Sequence, residues 1–123
     1  MIRFLFDECL PEYYVGAVRA WNDREGMPFV DFVRVGYIEE LPKRTIDPKI
    51  IRWAERELRI IVTVDYNTMP SHLADHLAQG GHSPGVFCVR PGASPMEIAF
   101  ELAMAAHAGR EDEFADSVTY IPL

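Results

Sequence analysis

Residues 59–65, Arg-Ile-Ile-Val-Thr-Val-Asp, are the stretch of this chain that decides the fold. Their β-branched centre, Ile60–Val64, favours a strand, and an apolar run of this length is typical of a strand buried on both faces. Just before it, residues 47–58 open with Asp47-Pro48, which is typical of a helix start. A helix that leads directly into a fully buried strand indicates a parallel sheet covered by helices. The apolar face of that helix consists of Ile50, Ile51, Ala54 and Leu58.

The same alternation of strand and helix extends in both directions along the chain. It predicts the order β-α-β-α-β-α-β-α-β, hence one three-layer α/β/α domain over residues 1–123 with a mainly parallel five-stranded sheet. Ser94-Pro95-Met96-Glu97 has the form of a capping box and marks one helix start. The other predicted strands cover residues 2–6, 29–35, 86–89 and 118–121, and the other predicted helices cover 11–21, 71–79 and 94–108.

Composition excludes several classes of protein. The chain has 123 residues, 49% of them hydrophobic, which is enough to form a core and too apolar for a disordered chain. A formal net charge of -7, part of it in the acidic segment 110–116 before the last strand, argues against binding nucleic acid or membranes by bulk charge. Cys9 and Cys88 lack metal-type spacing, so we expect two buried, reduced thiols. With no signal peptide and no run of about 18 apolar residues, we expect a cytoplasmic protein without a membrane span.

Carboxylates follow two of the predicted strands. Asp7 and Glu8 end the first, and Asp65 ends the third. Ligands of such sheets bind beyond the carboxyl ends of the strands, and these two strands are normally neighbours about 5 Å apart. We therefore expect Asp7 and Asp65 to face each other. Asp47 opens a helix that runs back along the sheet, so its start need not lie at the same end, and a helix N-cap is its alternative role.

Carboxylates that converge in a crevice repel one another unless a cation neutralises them or one stays protonated. Mg²⁺ and Mn²⁺ prefer oxygen ligands, and such an ion can activate water and neutralise charge on a phosphodiester. An aspartate after a strand can instead cap a turn. Both interpretations, metal ligand and turn cap, are open for Asp7 and Asp65.

Basic residues form a second feature. Lys49, Arg52, Arg56 and Arg59 are spaced 3, 4 and 3 apart, which predicts one stripe on the helix that begins at Asp47 and a surface for RNA phosphates. The alternative is a solvated face, since acidic residues are interleaved with it. His72 and His76 have the i, i+4 spacing that can hold zinc, but no further ligand pattern accompanies them. This favours an exposed polar helix face.

Four short motifs resemble a known family. FLFDECLP at 4–11, DPKIIRWA at 47–54, RIIVTVD at 59–65 and PGVFCVR at 84–90 are similar to motifs of small PIN-like proteins. These are prokaryotic chains related to PilT N-terminus domains, and they include VapC-type toxin nucleases. The resemblance covers roughly residues 2 to 105. It implies a Mg²⁺- or Mn²⁺-dependent endoribonuclease, the toxin of a toxin–antitoxin pair, with an antitoxin protein as partner and pairing as a homodimer.

By motif position, the resemblance implies a catalytic and metal-binding role for Asp7, Asp47 and Asp65, with Glu8 as an accompanying acid. Asn67 stands where the family has a further acid; it offers a carbonyl oxygen without charge, and Cys9 replaces the usual asparagine. A non-catalytic binding module that has lost a metal ligand is therefore the first alternative. The second is a receiver-like signalling domain, which shares the acid positions but needs a Ser or Thr after strand four and a Lys after strand five.

Overall fold

A computed structural model describes residues 1–123 and places the run at 59–65 in the centre of the sheet. Strand β3 (Arg59–Thr63) lies between β1 (Arg3–Phe6) and β4 (Val86–Val89). Strands β2 (Phe32–Arg34) and β5 (Val118–Ile121) form the two edges. All pairs are parallel and the order is β2-β1-β3-β4-β5, which confirms the predicted fold class.

Four helices cover the two faces of this sheet. Helices α1 (Glu12–Asp23) and α4 (Pro95–Ala108) pack on one face, and α2 (Asp47–Glu57) and α3 (Thr68–Ala78) pack on the other. The five strands and four helices thus form three layers, α/β/α. No helix of the protein combines the length and the apolar content that crossing a membrane requires.

The central strands supply side chains to both hydrophobic cores. Ile60 and Val62 join the 19-residue core under α1 and α4, whereas Ile61 joins the 11-residue core under α2 and α3. Successive side chains of a strand point to opposite faces, so a strand with a helical layer on each side must be apolar at every position. This is why residues 60–62 show no polar alternation.

Some element boundaries differ from the prediction. β2 has three residues instead of seven, because both backbone groups of Val30 bond to the side chain of Asn22, at 2.8 and 2.9 Å. α3 begins at Thr68, three residues early, and Pro70 lies in its first turn, where a missing N–H leaves no intrahelical bond unmade. Ser94 is the N-cap of α4 but makes no capping bond with its side chain, so the predicted capping box is wrong in its contacts.

Arg59 does not belong to the stripe on α2, and that part of the prediction is wrong. Leu58 adopts a left-handed conformation with φ of 57° and ends the helix, so Arg59 begins β3. Its guanidinium donates to Asp31 Oδ1 at 2.9 Å and to the carbonyl of Phe4 at 3.0 Å. With 11% of its side chain exposed, Arg59 holds the sheet together and offers little surface to RNA.

At the amino ends of the strands, two carboxylates join several segments. Glu55 of α2 accepts from the amide of His82 at 2.8 Å and lies 2.6 Å from His76 Nε2 of α3. Asp116 accepts from the amide of Ser83 at 2.8 Å and lies 3.1 Å from His82 Nδ1. The prediction that His76 belongs to an exposed polar face is therefore wrong, because His76 packs against α2.

These carboxylates predict how stability depends on pH. The amide of His82 chiefly lowers the pKa of Glu55 below its ordinary value of 4.5, and the amide of Ser83 chiefly lowers the pKa of Asp116 below 3.8. A carboxylate whose pKa is lowered by folding stabilises the protein above its unfolded pKa, and this stabilisation is lost as pH falls through the folded value. We expect the free energy of unfolding to fall progressively below pH 4.5, and to fall less steeply in Glu55→Gln and Asp116→Asn.

Urea unfolding at a series of pH values measures this slope. The matched control is Glu39→Gln, because Glu39 is exposed and accepts no hydrogen bond. Acid slopes of the two variants equal to the slope of the control would contradict the assignment.

Candidate functional site

The sheet order reverses between β1 and β3, and the ends of these strands form the crevice where doubly wound sheets bind ligands. The two strands are neighbours, as predicted, with Phe6 in register with Val62. Asp7 and Asp65 follow them at the same edge. Asp7 is 6% exposed, and its amide donates to the carbonyl of Val62 at 2.9 Å, so the backbone continues the strand pairing up to the carboxylate.

Thr63 connects the two aspartates. Its hydroxyl donates to Asp7 Oδ2 at 2.8 Å and accepts from the amide of Asp65 at 3.0 Å. The Cys9 thiol also lies 3.4 Å from Asp7 Oδ2, and the amide of Glu8 donates to Asp7 Oδ1 at 2.8 Å. Both oxygens of Asp7 are therefore oriented by neighbours within hydrogen-bond reach.

Asp65 is oriented by the start of α3. Its Oδ1 accepts from the amides of Asn67 at 3.0 Å and Thr68 at 2.9 Å, and its Oδ2 accepts from the Thr68 hydroxyl. Burial acts to raise the pKa of Asp65, but the hydrogen bonds from Thr68 and the nearby amides outweigh it and leave the pKa lowered. Asp65 is thus a negative charge at neutral pH, and the turn-capping role considered for it is present alongside its place in the crevice.

Asp47 lies in the same cluster, and both reasons for placing it elsewhere are wrong. The connection from β2 leaves the sheet at its carboxyl edge, and a crossover helix runs antiparallel to the strands. Helix α2 therefore starts at the carboxyl edge. Ile46 is the N-cap and Asp47 is the first helical residue, with no capping bond from its side chain. Asp47 Oδ2 lies 3.4 Å from the Thr68 hydroxyl and 3.9 Å from His72 Nε2.

The pKa of Asp47 is set by its surroundings. Burial raises its pKa above the ordinary value, and the charges of Asp7 and Asp65 raise it further, against a lowering by His72. The single hydroxyl proton of Thr68 faces both Asp47 and Asp65, so it can fully satisfy only one of them. We name Asp7, Asp47 and Asp65 the acidic cluster.

Two predicted metal residues stand apart from the acidic cluster. Glu8 Oε1 accepts from the amide of Arg44 at 2.7 Å, which engages this carboxylate with the connection between β2 and α2. Asn67 is exposed, and its side chain makes no hydrogen bond. Only its backbone amide contacts Asp65.

The donor chemistry of the acidic cluster fits a hard cation, because three carboxylates converge and one of them has a raised pKa. No three His, Cys, Asp or Glu side chains are placed so that together they could hold a metal ion. Cation binding at the acidic cluster would therefore require its side chains to rearrange.

Three side chains beside the acidic cluster were not predicted to have this role. Thr68 follows Asp65 by three residues, a spacing typical of capping turns, and His72 lies one helical turn after Thr68; this pattern was a usable signal. His72 keeps 38% of its side chain exposed, in line with the predicted polar face, and its Nε2 also lies 3.9 Å from Asp47 Oδ2. Cys9 is exposed, not buried as predicted, although Cys88 is buried. Although Cys9 as a residue is exposed, its sulfur lies 3.4 Å from both Asp7 Oδ2 and the Thr63 hydroxyl. This partial desolvation and the charge of Asp7 raise the pKa of Cys9, so the thiol is neutral at pH 7.

The remaining basic residues of the predicted stripe are exposed on α2. Lys49, Arg52 and Arg56 line a shallow concavity of about 370 Å³ together with Glu40 and Trp53. This surface lies on the helix that Asp47 opens.

Comparisons of this chain with protein-family models, with curated proteins and with solved structures find no match.

Thr63→Val tests the connection between the two strand ends. Valine keeps the shape but removes the hydroxyl, so Asp7 Oδ2 keeps only the weaker Cys9 thiol as a donor and the Asp65 amide loses its acceptor. We expect the free energy of unfolding to fall by about 1–3 kcal/mol. Hydrogen exchange at the Asp65 amide should accelerate in Thr63→Val but not in the control Thr63→Ser, which retains the hydroxyl. Unchanged exchange in Thr63→Val would show that the bond is not formed.

Asp47→Asn tests the repulsion within the acidic cluster. The raised pKa of Asp47 means that folding disfavours its charged form, so a neutral amide of the same shape should raise the Tm in metal-free buffer near pH 7. The control is Glu39→Gln, an exposed carboxylate outside the helices, which should leave the Tm unchanged. A lower Tm for Asp47→Asn than for the control would contradict the repulsion.

Proposed function

We propose that this protein is a Mg²⁺- or Mn²⁺-dependent endoribonuclease whose centre is the acidic cluster. The observation that supports this most is the convergence of Asp7, Asp47 and Asp65 at the topological switch point of a parallel sheet. Uncompensated carboxylates at this position are typical of a site for a divalent cation. The family resemblance extends the proposal to a cytoplasmic toxin that a protein antitoxin restrains, and to a homodimer.

Within this proposal, Asp7, Asp47 and Asp65 would hold the ion. When bound, a divalent cation activates water and neutralises charge on a phosphodiester. Asp7 is fixed by Thr63, and Asp65 is fixed by the first amides of α3. The pKa of Asp47 is raised by burial and by the neighbouring carboxylates, so a nearby positive charge would stabilise its charged form. Lys49, Arg52 and Arg56 would contact RNA phosphates along α2, which offsets the overall charge of -7.

A receiver-like phosphoacceptor is the second candidate, because the order β2-β1-β3-β4-β5 is also the order of that class of signalling domain. Asp65 would then be the acceptor. In this chain, however, the residue after β4 is Arg90, where that class of domain needs a Ser or Thr, and Arg90 donates to the carbonyl of Pro122. Labelling of Asp65 by a small phosphodonor would favour this candidate over the nuclease.

Asp7→Asn and Asp65→Asn test the nuclease. Each removes a negative ligand without changing its shape, so RNA cleavage in Mg²⁺ or Mn²⁺ should fall by more than the roughly 10–100-fold that follows loss of an outer-shell partner. A chelator should abolish cleavage by the native protein. Asp75→Asn, on the exposed side of α3, is the matched control and should cleave normally. Cleavage that survives both cluster substitutions would refute the proposed centre.

A further inference from the structure

Tyr37 presents an aromatic ring to solvent at the carboxyl edge of the sheet, the edge that also carries the acidic cluster. It lies in the connection that leaves β2, at the carboxyl edge of the sheet, and it is 61% exposed. The guanidinium of Arg34 covers one face of the ring, with its Cζ 4.5 Å from the ring centroid. A ring held from one side in this way keeps its other face free to stack against a planar group.

Arg34 is itself firmly held. It donates through Nη1 to Glu12 Oε2 at 2.5 Å and through Nη2 to the carbonyl of Leu10 at 3.4 Å, and only 10% of its side chain is exposed. Arg19 donates to the other oxygen of Glu12 at 2.9 Å, which fixes the carboxylate from a second side. The Nε of Arg34 is buried without a partner.

The loop that carries Tyr37 lies near Glu8, the residue that follows Asp7. Gly36, just before it, has a φ of +93°, and a side chain there would come within 3.9 Å of Glu8 Cδ and 3.1 Å of Lys43 Cγ. The backbone at Gly36 therefore lies against the residue that follows Asp7. Tyr66, directly after Asp65, is 45% exposed at the same edge.

We propose that Tyr37, backed by Arg34, is a stacking site for an unpaired base of the RNA. This inference rests on the proposed function, because RNA is the substrate named there. Stacking needs no positive charge on the protein, so it holds RNA at an edge where the carboxylates repel phosphates. Only an unpaired base exposes a free face, and therefore this site selects single-stranded segments for the acidic cluster.

Binding of a fluorescent single-stranded RNA, measured by anisotropy in buffer with a chelator, tests the site without any cleavage. Tyr37→Ala should weaken binding by about 5–150-fold, the loss expected for one stacked base. Tyr37→Phe should bind as the native protein does, and Tyr37→Leu, apolar but not planar, should bind as weakly as Tyr37→Ala. The matched control is Tyr120→Ala. Tyr120 is also exposed, its ring centroid lies 5.6 Å from Arg90 Cζ, and it belongs to β5, the far edge strand. This control should not change binding.

An RNA with abasic sites separates stacking from an effect on the backbone or on folding. Native protein should bind it as weakly as Tyr37→Ala binds normal RNA, and Tyr37→Ala should cause no further loss. Three results would overturn the proposal. Native protein and Tyr37→Ala could bind normal RNA equally well, Tyr37→Ala could weaken the binding of abasic RNA as much as that of normal RNA, or the native protein could bind no RNA at all. Tyr37-dependent binding without cleavage in Mn²⁺ would instead refute the nuclease and leave the stacking site standing.

Discussion

Parallel pairing of β1 with β3, each buried under helices on both sides, is the constraint on which the rest of the molecule depends. Parallel neighbours end at the same edge of a sheet, so whatever follows Phe6 and Thr63 must meet there. In this chain aspartates follow both strands, so the sheet has two apolar faces and a polar carboxyl edge. The crossover between the same strands returns through α2, whose start at this edge adds Asp47 as a third carboxylate.

The resulting repulsion is contained by hydroxyls and amides, since no cationic side chain donates a hydrogen bond to the acidic cluster. Thr63 donates to Asp7, the first amides of α3 donate to Asp65, and Asp47 shares the Thr68 hydroxyl with Asp65. The pKa values follow this division, because hydrogen bonds lower the pKa of Asp65 while burial and neighbouring charge raise that of Asp47. An uneven set of this kind is typical of a site that is completed by a ligand.

Much of the candidate site was predictable from sequence because it lies at strand ends. The apolar run at 60–64 and the run at 2–6 each stop at an aspartate, and the neighbouring strands bring those aspartates to one edge. Contacts made by side chains across loops were not predictable in the same way. Glu8 follows Asp7 directly yet bonds to Arg44, and Arg59 continues the spacing of the stripe yet pairs with Asp31, because a left-handed Leu58 ends the helix one residue earlier.

The sequence by itself determined the α/β/α architecture, since continuous apolar strands alternating with helices can be buried only as a parallel sheet between two helical layers. It also determined which strands end in carboxylates. Only the tertiary structure decided that Asp47 joins them, that Thr68 and His72 approach it from α3, and that Arg34 lies under Tyr37. Hydrophobic periodicity reports which face of an element is buried. It carries no information on which polar side chains meet where separate elements end, because that depends on crossover direction, loop path and helix termini together.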